Sequence, residues 1–300
     1  MPAAPTLASL AQPGILQGIP AQARYLTCQL RVGADPRAVL RELARQADGQ
    51  HLVVGLGDSL VRELGIALPG LKAFCGVDGA RVKLPATPAD LWLWLRGSDR
   101  GDLLVRSRHL EALLAPAFDV QRITDAFSHH HNKDLTGYED GTENPDAEEA
   151  PAVALVGEGE AAPAGSSFVA VQRWRHHMNR FEAMSRQQQD HTIGRERDTN
   201  EELDDAPDSA HVKRTAQESF EPEAFVLRRS MPWAEGNEGG LVFAAFGRSF
   251  DAFEAQLRRM SGAEDGIVDA LFTFTEPETG AYYWCPPVHG GHIDLSAVGL

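Results

Sequence analysis

The 300-residue sequence predicts an α+β fold of two tandem ferredoxin-like halves, each β-α-β-β-α-β with an antiparallel sheet. Three observations carry this expectation. Strand-like and helix-like patterns follow one another in the same order twice along the chain. LWLWLRGSDRGDLLVRSRHLEALL in the first half and LVFAAFGRSFDAFEAQLRRM in the second share one plan of strand, polar turn and amphipathic helix. A stretch rich in Asp, Glu, Gly, Pro and Ala, Ser128–Ser167, separates the two. The expected division is an N-terminal arm over 1–22, one half over 23–150 and the other over 151–300.

Each element has its own justification. Residues 1–22 are rich in Pro, Ala and Gln and read as an irregular arm. Tyr25–Val32 alternates enough for a strand. Pro36 suits the first turn of a helix over Arg37–Gln46. His51–Leu56 is a second strand, and residues 57–90, punctuated by Pro69, Pro85 and Pro88, are mixed loops. Leu91–Arg96 is an aromatic and aliphatic strand, Asp102–Leu114 a helix by its leucine spacing, and Val120–Phe127 a closing strand. In the second half, Phe168–Trp174 is a strand and His177–Gln188 a helix with Met178, Phe181 and Met184 on one side. Phe225–Arg229 and Leu241–Phe246 are strands, Phe250–Met260 is a helix, and Leu271–Phe274 and Tyr282–Trp284 close the half.

Charge and cysteine usage exclude several function classes. With 43 acidic and 28 basic residues the chain carries −15, which repels polyanions and argues against nucleic-acid binding. The longest apolar runs fall far short of the roughly 20 residues needed to span a bilayer. Met1–Pro20 has neither an early Lys or Arg nor a long apolar core, so it does not read as a signal peptide; the expectation is a soluble, cytoplasmic protein. Cys28, Cys75 and Cys285 are far apart and form no CxxC pair, which points to free thiols rather than a disulfide framework or a thiolate zinc site.

Three segments could carry chemistry. In DLTGYEDGTENP, Asp134–Pro145, Gly137 and Gly141 bracket Asp140, a pattern that brings backbone close to a bound group and presents one carboxylate, and that equally describes a surface Asp-Gly turn. In HVKRT, His211 is either a solvated or core histidine or an imidazole ligand to a haem iron. In FVLRRSMPW, Arg228 and Arg229 must point to opposite faces of a strand, so one guanidinium faces inward and needs an anionic ligand or a carboxylate partner.

Taken together these segments resemble the dye-decolorizing peroxidases. Gly137, Tyr138, Glu139, Asp140 and Gly141 match the family's GxxDG signature, and HVKRT and LRRSMP follow in its order and spacing. IGRERDTNEEL and QPGIL extend the likeness from about Gln12 to Pro286 and toward the B-type bacterial members. The resemblance implies two ferredoxin-like halves with one haem b, iron protoporphyrin IX, held mainly by the C-terminal half. It implies His211 as proximal ligand to the iron, Asp140 as distal acid and Arg228 as distal arginine, with Ser230 near the distal water. It further implies Gly141, Thr142, Asn144 and Arg195 as cofactor contacts, and Asp269 as hydrogen-bond partner of the other His211 nitrogen. Arg229 departs from many relatives, so which arginine enters the pocket is a question for the structure.

The implied activity is reduction of hydrogen peroxide with one-electron oxidation of phenolic or dye-like small organic reductants. A non-catalytic haem-handling protein on the same fold is the alternative, and a tandem ferredoxin-like module binding a small regulatory ligand is a third reading. Bulky dyes cannot enter such a pocket, so electrons would leave through surface aromatics among Trp92, Trp94, Trp174, Trp233, Trp284, Tyr25, Tyr138, Tyr282 and Tyr283; each is first a candidate for core packing. His129–His131 reads as a solvated loop, His176 and His177 as the surface start of a helix, and the acidic run at 201–208 as a solvated face. A homo-oligomer is expected. Packaging in a protein shell is a weaker expectation, since the tail HGGHIDLSAVGL shows no strong cargo peptide.

Overall fold

The computed structural model describes residues 6–130 and 132–300. Its organisation follows from the alternation in LWLWLRG. Leu91, Leu93 and Leu95 point to one face and join Val39, Leu40 and Leu43 of helix Arg37–Gln46 and Leu103, Leu110 and Leu114 of helix Arg100–Leu114. Trp92 and Trp94 point to the other and are equally buried. A strand apolar on both faces needs a cover on both. Helices supply one cover, and the rest of the sheet, curled round on itself, supplies the other.

Ten strands build that sheet: β1 Gln22–Leu30, β2 Leu52–Leu56, β3 Leu91–Gly97, β4 Phe118–Phe127, β5 Ser167–His176, β6 Leu227–Arg228, β7 Met231–Glu235, β8 Glu238–Gly247, β9 Thr275–Pro277 and β10 Ala281–Cys285. The first half orders its strands β4-β1-β3-β2 and the second β7-β8-β5-β10, all antiparallel. β6 and β7 pair in succession with β8, and β9 and β10 with β5. The two halves meet edge to edge through Trp284↔Leu56 and Ala126↔Trp233. The expectation of separate antiparallel sheets is therefore corrected: one closed antiparallel ring of eight strands joins both halves. Such a ring is just wide enough to be filled by side chains. Tyr25, Trp92, Trp94, Phe246 and Tyr283 fill it, with ring centroids 6.0 to 6.3 Å apart.

Gly55 on β2 makes room for this packing. A Cβ there would lie 2.8 Å from the Tyr283 Cβ and 3.3 Å from the Trp92 ring. Gly55→Ala is expected to cost about 1–3 kcal/mol through overpacking. Thermal unfolding followed by circular dichroism should show a lower midpoint, and an unchanged midpoint would mean that the interior is looser than described.

The expected irregular arm contains regular structure in its described part. Short helices Leu7–Leu10 and Pro13–Leu16 bring Ala11, Gln12 and Ile15 to complete burial at the β2–β10 junction. The Gln12 amide donates to the Val54 and Pro286 carbonyls and accepts from the Val54 N–H. It thus supplies hydrogen bonds where the two strands diverge. Other corrections are local. Leu271–Phe274 is not a strand: the Asp269 carboxylate accepts from the Leu271 N–H and starts a 3₁₀ turn, Ala270–Thr273. The expected helix over His177–Gln188 is two, Met178–Glu182 and Arg186–Ile193, because Ser185 and Gln188 form a capping box that starts a new one. Helix Asp58–Glu63 lies in a region read as loop.

Candidate active site

The double arginine on β6 separates as strand geometry requires. Arg229 turns toward the arm: its Nε donates to the Ile15 carbonyl at 3.0 Å and Nη2 to the Leu16 carbonyl at 2.7 Å. Burial, with Arg96 nearby, lowers its pKa to about 10. Arg228 faces the other way, into a cleft on the outer face of the ring, and its buried Nε has no partner among the described residues. Asn144 fixes the strand at this point. Its Oδ1 accepts from the Arg228 N–H at 2.7 Å and its Nδ2 donates to the Arg228 carbonyl at 3.2 Å, as a neighbouring strand would.

The cleft lies between β5 and β8 on one side and helix Asp251–Met260 on the other. Leu241, Phe243, Phe253, Leu257, Met260 and Phe274 give it apolar walls around about 920 Å³ of space, part of it open to solvent. Asp140 and His211 reach it from opposite loops. A tight hairpin delivers Asp140: Asp140 N–H donates to the Asn132 carbonyl and Asp134 N–H to the Tyr138 carbonyl, with Gly137 and Gly141 at φ of 87° and 76°, where glycine alone is unstrained. The carboxyl of Asp140 is half-buried. Desolvation raises its pKa above the ordinary carboxylate value, against the pull of the Arg228 guanidinium.

His211 opens the short helix His211–Arg214. Its Nδ1 lies 2.8 Å from the Oδ2 of Asp269, whose side chain is fully buried. An ionised carboxylate only accepts, so Nδ1 carries the proton and Nε2 keeps its lone pair. Arg214 braces this helix with a bidentate pair to Asp265, both contacts at 2.8 Å. A second opening, sharing Asp140, His211 and Arg228, is lined by Gly141, Thr142 and Arg195. Arg195 is paired there with Glu143 at 2.5 Å and Glu202 at 3.4 Å, and the Asn200 amide donates to the Thr142 hydroxyl.

The structure therefore brings Asp140, Arg228 and His211 to one cleft, with Asp269 behind His211. Ser230 is buried, its hydroxyl has no partner among the described residues, and it does not line the cleft. All nine aromatic candidates for surface electron transfer are buried, at 6% exposure or less, so packing accounts for them. His176 is not at the surface but at the buried end of β5, while His177 is partly exposed beside Glu276. His129 and His130 stack edge to face, and His131 lies outside the described residues. The acidic residues of 201–208 are exposed. Sequence reasoning missed Asn144 as the brace of Arg228 and the pair Asp134–His176 in the cleft wall. The first has no signal beyond its place in TENP, and the second was hidden by reading HH as a helix start.

Comparison with known proteins places this geometry. The family model described as Dyp-type peroxidase, C-terminal, matches residues 131–290. A dye-decolorizing peroxidase of Mycolicibacterium paratuberculosis is 31% identical over 224 residues, which is 73% of this chain and 63% of that protein, so the chain spans a little under two thirds of this relative's length. The encapsulated DyP-type peroxidase from Mycobacterium smegmatis superposes with a TM-score of 0.83 at 26% identity, covering 93% of this chain and 96% of that one. A variant of DypB from Rhodococcus jostii RHA1, solved in complex with haem, superposes with a TM-score of 0.81 at 25% identity, covering 91% and 94%. The family model and the relatives agree over most of the chain, and the chain belongs to the Dyp-type peroxidases.

Proposed function

We propose that the protein is a haem-dependent peroxidase that reduces hydrogen peroxide and oxidises phenolic or dye-like molecules by one-electron steps. The observation that carries this reading is the convergence of His211, committed through Nδ1 to Asp269, with Asp140 and Arg228 on one apolar-walled cleft. The residues fit a haem: Nε2 of His211 would face the iron, the aliphatic and aromatic walls suit a flat macrocycle, and the Arg228 Nε, without a partner among the described residues, lines the same cleft as Asp140. Gly141, Thr142 and Arg195 line the polar opening where the ring's carboxylates would lie. Haem, when bound, supplies the metal centre at which the peroxide O–O bond breaks.

The chain's own residues manage the protons and charge. Asp140 takes the proton from one peroxide oxygen and returns it to the departing one. Arg228, permanently cationic, favours the peroxide anion and stabilises charge on the leaving oxygen. Asp269 makes His211 a more basic ligand. Purified protein reconstituted with haem should consume peroxide only when a phenol or dye is oxidised; haem binding without turnover would leave the haem-handling alternative.

A pH dependence follows with opposite signs for two substrates. Asp140 acts as a base only when ionised, and its raised pKa moves that ionisation above the usual value of about 4. Peroxide cleavage with a neutral phenol should therefore rise with pH through this range, and Asp140→Asn should remove the rise. An anionic dye is repelled by the −15 surface until carboxylates protonate, so its optimum should lie on the acidic side. Steady-state profiles with both substrates check this; a dye rate climbing steadily to about pH 9 would contradict it.

The strand orders β4-β1-β3-β2 and β7-β8-β5-β10 support reading 23–150 and 151–300 as two ferredoxin-like halves. A cytoplasmic, homo-oligomeric enzyme remains our expectation. Leu104 and Val105, exposed on helix Arg100–Leu114, offer one contact face. No helix of the described residues is long and apolar enough to cross a membrane. Residence in a shell, as the M. smegmatis relative's encapsulation invites, would have to use a segment other than Ile293, Leu295 and Val298, which are buried in the core.

A further inference from the structure

The wall of the cleft holds a hydrogen-bonded pair, Asp134 and His176, that the chemistry above does not use. His176 ends β5 and Thr275 begins β9. The Oδ2 of Asp134 lies 2.9 Å from Nε2 of His176, and the side chains are 15% and 7% exposed. Nδ1 of the same ring lies 2.8 Å from the Thr275 hydroxyl. That hydroxyl has one proton, and it donates it to the Arg175 carbonyl at 2.9 Å. The Oδ1 of Asp134 already accepts from the Thr136 N–H and hydroxyl, which marks an ionised carboxylate. Nε2 therefore donates to the Asp134 carboxylate, and both ring nitrogens of His176 are engaged. The low pKa of Asp134, about 2, agrees with this: the His176 charge and the hydrogen bonds outweigh burial.

Such a pair is weak evidence for stability, because desolvation offsets most of its attraction; its better-attested use is to fix one arrangement among several. What it fixes here is the hairpin that carries Asp140. Asp134 is held to Tyr138 and Asp140 to Asn132 by backbone hydrogen bonds, with a bridge between Lys133 and Glu139, so the two carboxylates are registered on one short rigid unit. Among the described residues no side chain hydrogen-bonds the Asp140 carboxyl. Its place in the cleft is set by the backbone beneath it.

We propose that Asp134 and His176, with Thr275 behind them, are positioning residues for the distal acid: they pin the 132–140 hairpin to the ends of β5 and β9 and so hold Asp140 in the cleft. This rests on the peroxidase reading for its significance. It is tested on the haem-loaded protein with cyanide, which arrives as hydrogen cyanide and must lose its proton to a distal acceptor as it binds.

Cyanide association is followed by stopped-flow absorbance for the wild type, Asp134→Asn, His176→Gln, Asp140→Asn and the double variant Asp134→Asn/Asp140→Asn. Misplacing a catalytic group by about 1 Å can cost up to about 100-fold, so each single variant should slow association by about 10- to 100-fold. The double should be no slower than Asp140→Asn alone, because a misplaced acid and an absent one are the same loss. Single variants at the wild-type rate, or a double variant whose deficit is the product of the two, would overturn the proposal. If Asp134→Asn does not fold, Thr275→Val serves: it keeps the pair, removes the partner of Nδ1 together with the hydrogen bond to the Arg175 carbonyl, and should slow association alone but not on the Asp140→Asn background. An unchanged rate for it would also overturn the proposal. Peroxide turnover by the wild type is measured separately. Its absence would refute the peroxidase reading while leaving the cyanide comparison decisive for the positioning role.

Discussion

His211→Ala is expected to be purified with little or no haem. The imidazole is the only group in HVKRT able to ligate iron; its Nδ1 is held by Asp269, and among the described residues nothing hydrogen-bonds its Nε2. The helix that carries it is short and depends on the Arg214–Asp265 pair and the Asp269 contact to stay in place. Alanine removes the ligand and leaves the Asp269 carboxylate buried without its cation-like donor, so both binding and local order suffer. Asp269→Asn keeps the ligand and weakens its support, and should loosen haem retention by about 10- to 100-fold. The ratio of the Soret band to protein absorbance, before and after challenge with apomyoglobin, reads both effects. A fully loaded His211→Ala with an unchanged Soret band would sink the assignment.

Arg228→Leu is expected to slow peroxide cleavage by about 100- to 1,000-fold, the typical loss of one well-placed transition-state donor. Asp140→Asn should slow it less, since water or buffer can carry a proton, whereas nothing else in LRRSMP supplies a fixed charge on the cleft side. The structure sharpens the third arm of this comparison. Arg229 is engaged with the Ile15 and Leu16 carbonyls, so Arg229→Leu should leave peroxide cleavage nearly unchanged and lower the thermal midpoint instead. Stopped-flow mixing with peroxide and thermal unfolding together decide it. If the Asp140 variant is the slower, or if Arg229→Leu damages the peroxide step, the distal assignment is wrong.

Periodicity revealed most of the elements, because strands such as LWLWLRG and helices such as Arg37–Gln46 bury faces that repeat at the period of the structure. It did not reveal closure of the ring. Trp92 and Trp94 showed that a second face is apolar, but what covers that face is contributed by strands far away in sequence. The residues of the site were legible as motifs, and their convergence was not: Asp140, His211 and Arg228 come from a hairpin, a short helix and a strand far apart in sequence. His176 was misread because local sequence cannot show that a histidine after RWR is met by Asp134 from another segment. Leu271–Phe274 looked like a strand by composition, and a single capping carboxylate made it a turn.

The ring closes where β10, Ala281–Cys285, meets β2, Leu52–Leu56, and Gln12 completes that junction. These partners are separated by more than two hundred residues, so the ring cannot close until β10 has been synthesised. Pairing of such distant strands is also intrinsically slow. Asp269 and Thr275, which support His211 and His176, lie just before β10 in the order of synthesis. The cleft is therefore completed only after the strands of the first half have been made, and the groups that support His211 and His176 follow them in synthesis.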